Sequence, residues 1–398
     1  QSEYPEDLWA WLEDTQERTG TRFIAIPHNS NISKGYMFAE TTLKGKPITA
    51  DYARTRVSWE PIVEATQYKG DSEAYPSLSP TDEFADFESY EHYIQQDVQE
   101  YKAHPGDYVR SALKQGLAIE QQVGVNPYKF GLIGSTDAHT GIASAEENNF
   151  WGKFALDSTP ETKKRDKGIG GIQANGWSMS ASGLAAVWAK ENTREEIYAA
   201  FQRKEVYATT GPRLKVRMFA GWNFDENAND ADNLAEIGYT QGVPMGGDLS
   251  SAGMTENNAT PQLLIRATKG PKDANLDRLQ VIKGWVDQNG KQYERIFNVA
   301  WSGDRDLSGD GKLPAVGNTV NLETAHYDNS IGSAELSTVW TDPDFQAAQR
   351  AFYYVRVLQI PTPRHSLYDA IALQIPVPEE GPATIQERAY TSPIWYTP

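Results

Sequence analysis

The sequence predicts an α/β sheet or barrel over residues 1–212, followed by a β-rich, sandwich-like domain over 213–398. Three observations predict it. Helical periods alternate with short apolar runs through the first half. The apolar period changes from 3.6 to 2 beyond about residue 212. Two apolar runs end directly in potential metal ligands: Ile24-Ala-Ile-Pro-His28-Asn-Ser-Asn31 and Leu132-Ile-Gly-Ser-Thr-Asp137-Ala-His139-Thr-Gly141. In α/β barrels the C-terminal ends of the strands converge on one mouth, where the chemistry sits. Residues two apart on extended chain share a face, so Asp137 and His139 can reach one ion. The chain has only six histidines, and two of them stand at these strand exits. A metal-dependent hydrolase is therefore the first expectation.

The elements follow in order. Residues 2–20 read as a helix: Pro5, Glu6 and Asp7 suit its first turn, Leu8, Trp9, Trp11 and Leu12 its buried stripe, and Gly20 its stop. A strand is expected over 22–26, ending at Pro27-His28. A second runs over 61–66, a helix covers about 107–122, and a third strand spans 130–133 and leads into Asp137. Residues 144–182 form an insertion with Lys163, Lys164, Arg165, Lys167 and the run Gly168-Ile-Gly-Gly171. It reads as a lid or a solvated surface loop. The glycine run lacks the strand and helix that a phosphate cradle needs. Thr193-Arg-Glu-Glu196 is a capping box that opens a further helix. Strand-like runs at 214–219, 262–267, 279–285, 294–300 and 352–360 then follow without helices between them, which indicates a sandwich.

Composition bounds the function. A net charge of −17 argues against a general nucleic-acid or anionic-membrane surface, so an anionic substrate needs local positive charge. No cysteine is present, which excludes disulfides, thiolate nucleophiles and zinc–cysteine sites. No apolar run approaches the roughly 18–20 residues of a membrane span. The chain opens on Gln1 and almost at once on a helix, and is expected to be a fragment of a larger protein. The acidic, cysteine-free, aromatic-rich composition fits a periplasmic or secreted protein.

Glu64, Gln67, Lys69 and Glu73 alternate along the second strand and its exit. Glu64, Lys69 and Arg213 are candidate catalytic residues. Lys69 either neutralises a phosphoryl oxygen in the transition state or pairs with Asp71 or Glu73. Arg213, after a Thr-Thr-Gly-Pro turn, reaches the mouth or joins the domains. His92 and His104, in polar helical stretches, are expected to be solvated. His326 is assigned to a loop and His365 to the surface. Asp304-Arg-Asp-Leu-Ser-Gly309-Asp310 has oxygen ligands at calcium-loop positions but lacks the final Glu, and reads as an acidic turn.

Longer motifs carry a resemblance. Pro5-Glu-Asp-Leu-Trp9, Ile26-Pro-His-Asn29, Val63-Glu-Ala-Thr-Gln-Tyr-Lys-Gly-Asp-Ser-Glu73 and Gly134-Ser-Thr-Asp-Ala-His-Thr-Gly141 resemble the DUF3604 family. So do Tyr207-Ala-Thr-Thr-Gly-Pro-Arg213, Trp340-Thr-Asp-Pro-Asp-Phe345 and the run from Ala351 to Arg364. That family is placed among the PHP-like metallohydrolases, relatives of polymerase-and-histidinol-phosphatase domains. The resemblance implies a distorted (β/α)7-type barrel, incomplete here at its N-terminus, around a two- or three-metal cluster that activates water. It implies that His28 is the late barrel histidine and that Asp137 and His139 are the final Asp-x-His ligand pair. The remaining ligands, a His-x-His pair among them, would lie in an upstream segment that completes the site as a separate or cleaved piece; without it the chain is inactive. No His-x-His occurs in this chain.

The expected function is thus hydrolysis of a small anionic ester, foremost a phosphoester, by water on a divalent transition-metal cluster of Zn, Mn or Fe. Alternatives are hydrolysis of a non-phosphate ester, amide or carbamate, and a single-iron triad of His28, Asp137 and His139. The reading from another class is a non-catalytic surface or binding protein with a relic metal site.

Overall fold

A computed structural model describes residues 2–94, 99–165, 176–181, 183–254, 259–379 and 381–398. Seven α-helices and four sheets appear among them, so the chain is mixed α/β. The first helix, Pro5–Thr19, ends at Gly20 with φ at +71°, a left-handed turn that glycine adopts without a steric penalty. Thr193 caps Arg194–Gln202 through its hydroxyl, which accepts from the Glu196 N–H at 3.3 Å. Local signals of this kind place their elements well.

Two regular strands define the predicted mouth. Ile62–Gln67 pairs in parallel with Gly131–Gly134, with Gly70–Asp71 on its other edge. The expected strand over 22–26 is extended chain with only two backbone bonds to its neighbours, Ala25 N–H to Trp59 O at 2.9 Å and Glu64 N–H to Pro27 O at 3.1 Å. Among the described residues no sheet closes into a barrel. Where a barrel needs a parallel ladder at every step, this region holds one parallel pair.

The largest sheet runs Gln292–Trp301, Leu276–Val286, Ala351–Gln359, Arg388–Thr391, Val206–Thr209 and Leu184–Val187, with Ile394–Thr397 and Asp248–Ser250 continuing beside it. Strands from both sides of Pro212 share it. Alternation sorts its side chains onto two faces. Phe352 and Tyr354 turn toward helix Val109–Val123, packing with Ala112, Leu113, Leu117, Val63 and Leu132. Tyr353, Val355 and Val357 turn the other way, onto Val216, Met218, Leu263 and Ile265 of a four-stranded sheet. Two sheets thus pack face to face, as the period-2 pattern implies. Gly134 shows how tightly the mouth strands join the large sheet: a Cβ there would stand 2.7 Å from Leu184 N and 2.8 Å from Thr209 O. No described helix is long and apolar enough to cross a membrane.

Candidate active site at two strand exits

The Ile62–Gln67 strand is buried along its whole length, yet it carries Glu64 and Gln67 and leads to Lys69, at 5%, 1% and 3% exposure. Buried polar side chains need partners, and all three find them at the two predicted strand exits. Glu64 Oε1 accepts from the Asn29 N–H at 3.1 Å, and Oε2 accepts from the Ser135 hydroxyl. Gln67 Nε2 donates to Asn29 Oδ1 and, at 3.2 Å, to Asp137 Oδ2. One amide thereby ties both exits together.

Asn29 and Asp137 also share an unusual backbone. Their φ values are +54° and +53°, left-handed for non-glycine residues. Asn and Asp tolerate this region better than most, but it remains sparsely populated and concentrates at functional sites. At this turn the Asp137 carboxylate meets Gln67, Lys69 and Lys153.

Two buried lysines meet that carboxylate. Lys69 Nζ pairs with Asp137 Oδ2, and Lys153 Nζ lies 2.5 Å from the same oxygen and 2.6 Å from the Asp137 carbonyl. Burial alone would raise the Asp137 pKa, but the Lys153 and Lys69 ammonium groups outweigh it and hold the carboxyl well below the usual range. Burial pushes Lys153 down to about 8; the Asp137 carboxylate opposes this and neighbouring Lys69 adds to it. Burial likewise raises Glu64, against the bonds from Ser135 and Asn29 and the nearby His28.

His139 Nε2 stands 3.1 Å from Asp137 Oδ1. Its ring is half exposed and meets Phe154 edge-on at 5.0 Å. His28 is exposed beside Glu64. The structure therefore gathers His28, Glu64, Lys69, Asp137 and His139, and adds Gln67, Asn29 and Lys153. Lys69 pairs with neither Asp71 nor Glu73. Glu73 instead sits in a separate buried network, 2.5 Å from Arg110 Nη2 and 3.5 Å from Arg356 Nη1.

Arg213 stands apart. Its side chain is 77% exposed, 3.9 Å from Glu146, on the rim of a different cavity. The other candidates divide. His92 and His104 lie in irregular chain rather than in helices: His92 meets Tyr90 edge-on, and His104 precedes the turn Pro105–Asp107. His326 is an exposed loop residue whose Nδ1 is 2.9 Å from Thr324 O. His365, expected at the surface, is 1% exposed: it opens helix His365–Leu373, with Nε2 2.7 Å from Met179 O and its ring 4.5 Å from Phe150. In the 304–310 turn the Ser308 hydroxyl donates to Asp310, and Arg305 folds back onto Ser302 O at 2.9 Å. In the insertion, Lys163 is buried and pairs with Asp369 at 2.5 Å. Lys167 and the 168–171 glycine run lie outside the described residues.

Lys153 and Asn29 are the site residues that sequence reading misses. Lys153 follows Phe150-Trp-Gly in irregular chain, with no period to mark it.

The donor types suit a transition metal: imidazoles of His28 and His139 with the carboxylates of Asp137 and Glu64. The imidazoles are reachable from solvent, His28 exposed and His139 half exposed, whereas Glu64 is buried. Among the described residues, however, no group of three or more such donors is arranged around one point. Asp137 meets ammonium groups where a dication would otherwise balance it.

The family model described as protein of unknown function (DUF3604) matches residues 1–398, and the chain belongs to that family. No curated protein and no solved structure matches it.

Proposed function

We propose that this protein is a metal-dependent hydrolase of small anionic esters, phosphoesters foremost, and that His28, Asp137 and His139 are its contribution to the metal ligands. The reading includes membership of the PHP-like superfamily, a distorted barrel, an upstream segment that completes the ligand set, and a periplasmic or secreted location. One observation carries it: a chain of net charge −17 brings two buried lysines, two histidines and two carboxylates together at adjoining strand exits. Bound there, divalent Zn, Mn or Fe would polarise the ester and lower the pKa of the attacking water.

The chain's own side chains have roles that need no further group. Lys69 and Lys153 supply the positive charge that an anionic ester needs against the overall field. Lys69 is the group assigned to the developing charge on a phosphoryl oxygen. Gln67 holds Asp137 and Asn29 in register, and Glu64, enclosed and raised in pKa, is placed to hold or pass a proton beside His28. Arg213, on the other cavity's rim, is left out of this chemistry.

A second reading has its own observation. Asp137 is already neutralised by two ammonium groups, as in a binding protein whose metal site is a relic. Assay of the full-length protein on p-nitrophenyl phosphate and bis-p-nitrophenyl phosphate, with Zn, Mn or Fe supplied in turn, separates the two. Metal-dependent turnover that is lost in H139A supports the hydrolase; no turnover with any metal supports the relic. Turnover of carboxylic esters or amides alone would shift the substrate class and leave the metal chemistry standing.

A further inference from the structure

Away from Asp137, a cavity of about 460 Å3 opens between the loop at 145–148, the turn at 211–213 and the segment at 359–363. Glu147, Glu387, Tyr327 and Tyr368 are among its lining. Glu387 is 5% exposed, and its Oε2 accepts from the buried Thr210 hydroxyl. Glu147 Oε2 accepts from the His365 N–H at 2.6 Å. Its Oε1 is enclosed and has no hydrogen-bond partner among the described residues.

Neither carboxylate has an ion-pair partner among the described residues. Arg364 is paired with Glu88 at 2.7 Å and Lys163 with Asp369 at 2.5 Å, while the buried Arg388, the cation that acts on Glu387, turns its guanidinium to the Phe84 and Gln386 carbonyls. On the rim, Glu146 and Asp273 offset Arg213 and Lys272; Arg388 offsets part of the inner pair, which leaves one carboxylate in excess. An enclosed carboxylate without a partner either keeps its proton or recruits a cation. Burial pushes Glu147 up to about 7; burial, and then Glu147 itself, raise Glu387 well above the usual range.

The walls specify the kind of cation. The phenol of Tyr368 lies within electrostatic reach of Tyr327 and Glu147, and aromatic rings favour organic ammonium groups. A volume of about 460 Å3 lies in the small-molecule range and far exceeds a bare ion. No third metal donor joins the pair among the described residues. We propose that this cavity binds a small aliphatic ammonium compound whose N–H groups reach Glu147 and Glu387 between Tyr327 and Tyr368. It is a second site, and it stands whether or not the Asp137 site is catalytic.

The test is isothermal titration of the full chain with 1,4-diaminobutane at low salt, beside the uncharged 1,4-butanediol. One saturable diamine site per chain and none for the diol are expected. Glu387→Gln and Glu147→Gln should each weaken binding about tenfold or more, as loss of a charged hydrogen bond does. Tyr327→Ala should weaken it about threefold, the scale of a cation–π contact. Melting curves establish which variants fold, and Tyr327→Ala, at a half-exposed position, serves if both glutamine variants unfold. No saturable diamine binding, or binding that the folded variants leave unchanged, overturns the proposal.

Discussion

Lys153 grips Asp137 at two points, 2.6 Å from its carbonyl and 2.5 Å from its carboxylate Oδ2, while Lys69 holds the same oxygen. Two buried ammonium groups thus converge on a partly exposed carboxylate held in a left-handed turn. Removing the anion strands two ammonium groups, whereas removing one cation leaves a simple pair. In the metal-free protein, Asp137→Asn should cost about 2–3 kcal/mol, below the scale of a fully buried ion pair because the carboxylate is partly exposed. Lys153→Met should cost less. Urea unfolding of both variants checks the order, and a larger loss for Lys153→Met would contradict it.

Gln67 joins the two strand exits through one side chain, to Asn29 and to Asp137. Gln67→Leu keeps the volume but leaves three groups without that partner, Asn29 Oδ1, Asp137 Oδ2 and the Lys69 N–H, at about 1–3 kcal/mol. The ligand-bearing turns would also lose their common anchor. A fall in stability of this size, together with weaker Zn or Mn binding by equilibrium dialysis, is expected. Unchanged metal affinity would show that the exits are held independently.

Asp71 is 3% exposed, and burial followed by nearby Glu73 pushes its carboxyl up to about 7. The unfolded chain has an ordinary aspartate of about 3.9. Between these values the folded state holds a proton that the unfolded state has released, so stability falls as pH rises and levels off above about 7. Asp71→Asn fixes the neutral form, whose partners are the Glu73 N–H at 2.7 Å and the Tyr390 hydroxyl at 3.1 Å. The variant should gain on the wild type between pH 4.5 and pH 8, by an amount on the order of 3 kcal/mol. Parallel stability curves for the two proteins would sink this assignment.

What was legible in the sequence was local. The Thr193 cap, the Gly20 stop and the apolar runs before Asp137 each carry their own signal within a few residues. Leu184–Val187 and Arg388–Thr391 are four-residue strands without that signal. Both are defined by pairing to Val206–Thr209, which for the second lies nearly two hundred residues away. The barrel expectation came from alternation and family resemblance, and alternation alone does not fix how strands pair. His365 was misplaced for a similar reason: its burial depends on Met179 and Phe150, contacts that nothing near it in sequence announces. Within the site, Asp137 and His139 stand out by spacing. Lys153 reaches them only because the chain returns through an irregular loop.

The proposed chemistry requires His28, Asp137 and His139 to hold a metal. Elemental analysis of the full-length protein, wild type beside His139→Ala, tests this most directly, since the His139 ring is half exposed. At least one Zn, Mn or Fe per chain in the wild type, lost or sharply reduced in His139→Ala, is the expected result. A wild type that stays metal-free after incubation with each ion, or a variant that retains as much metal, would contradict it.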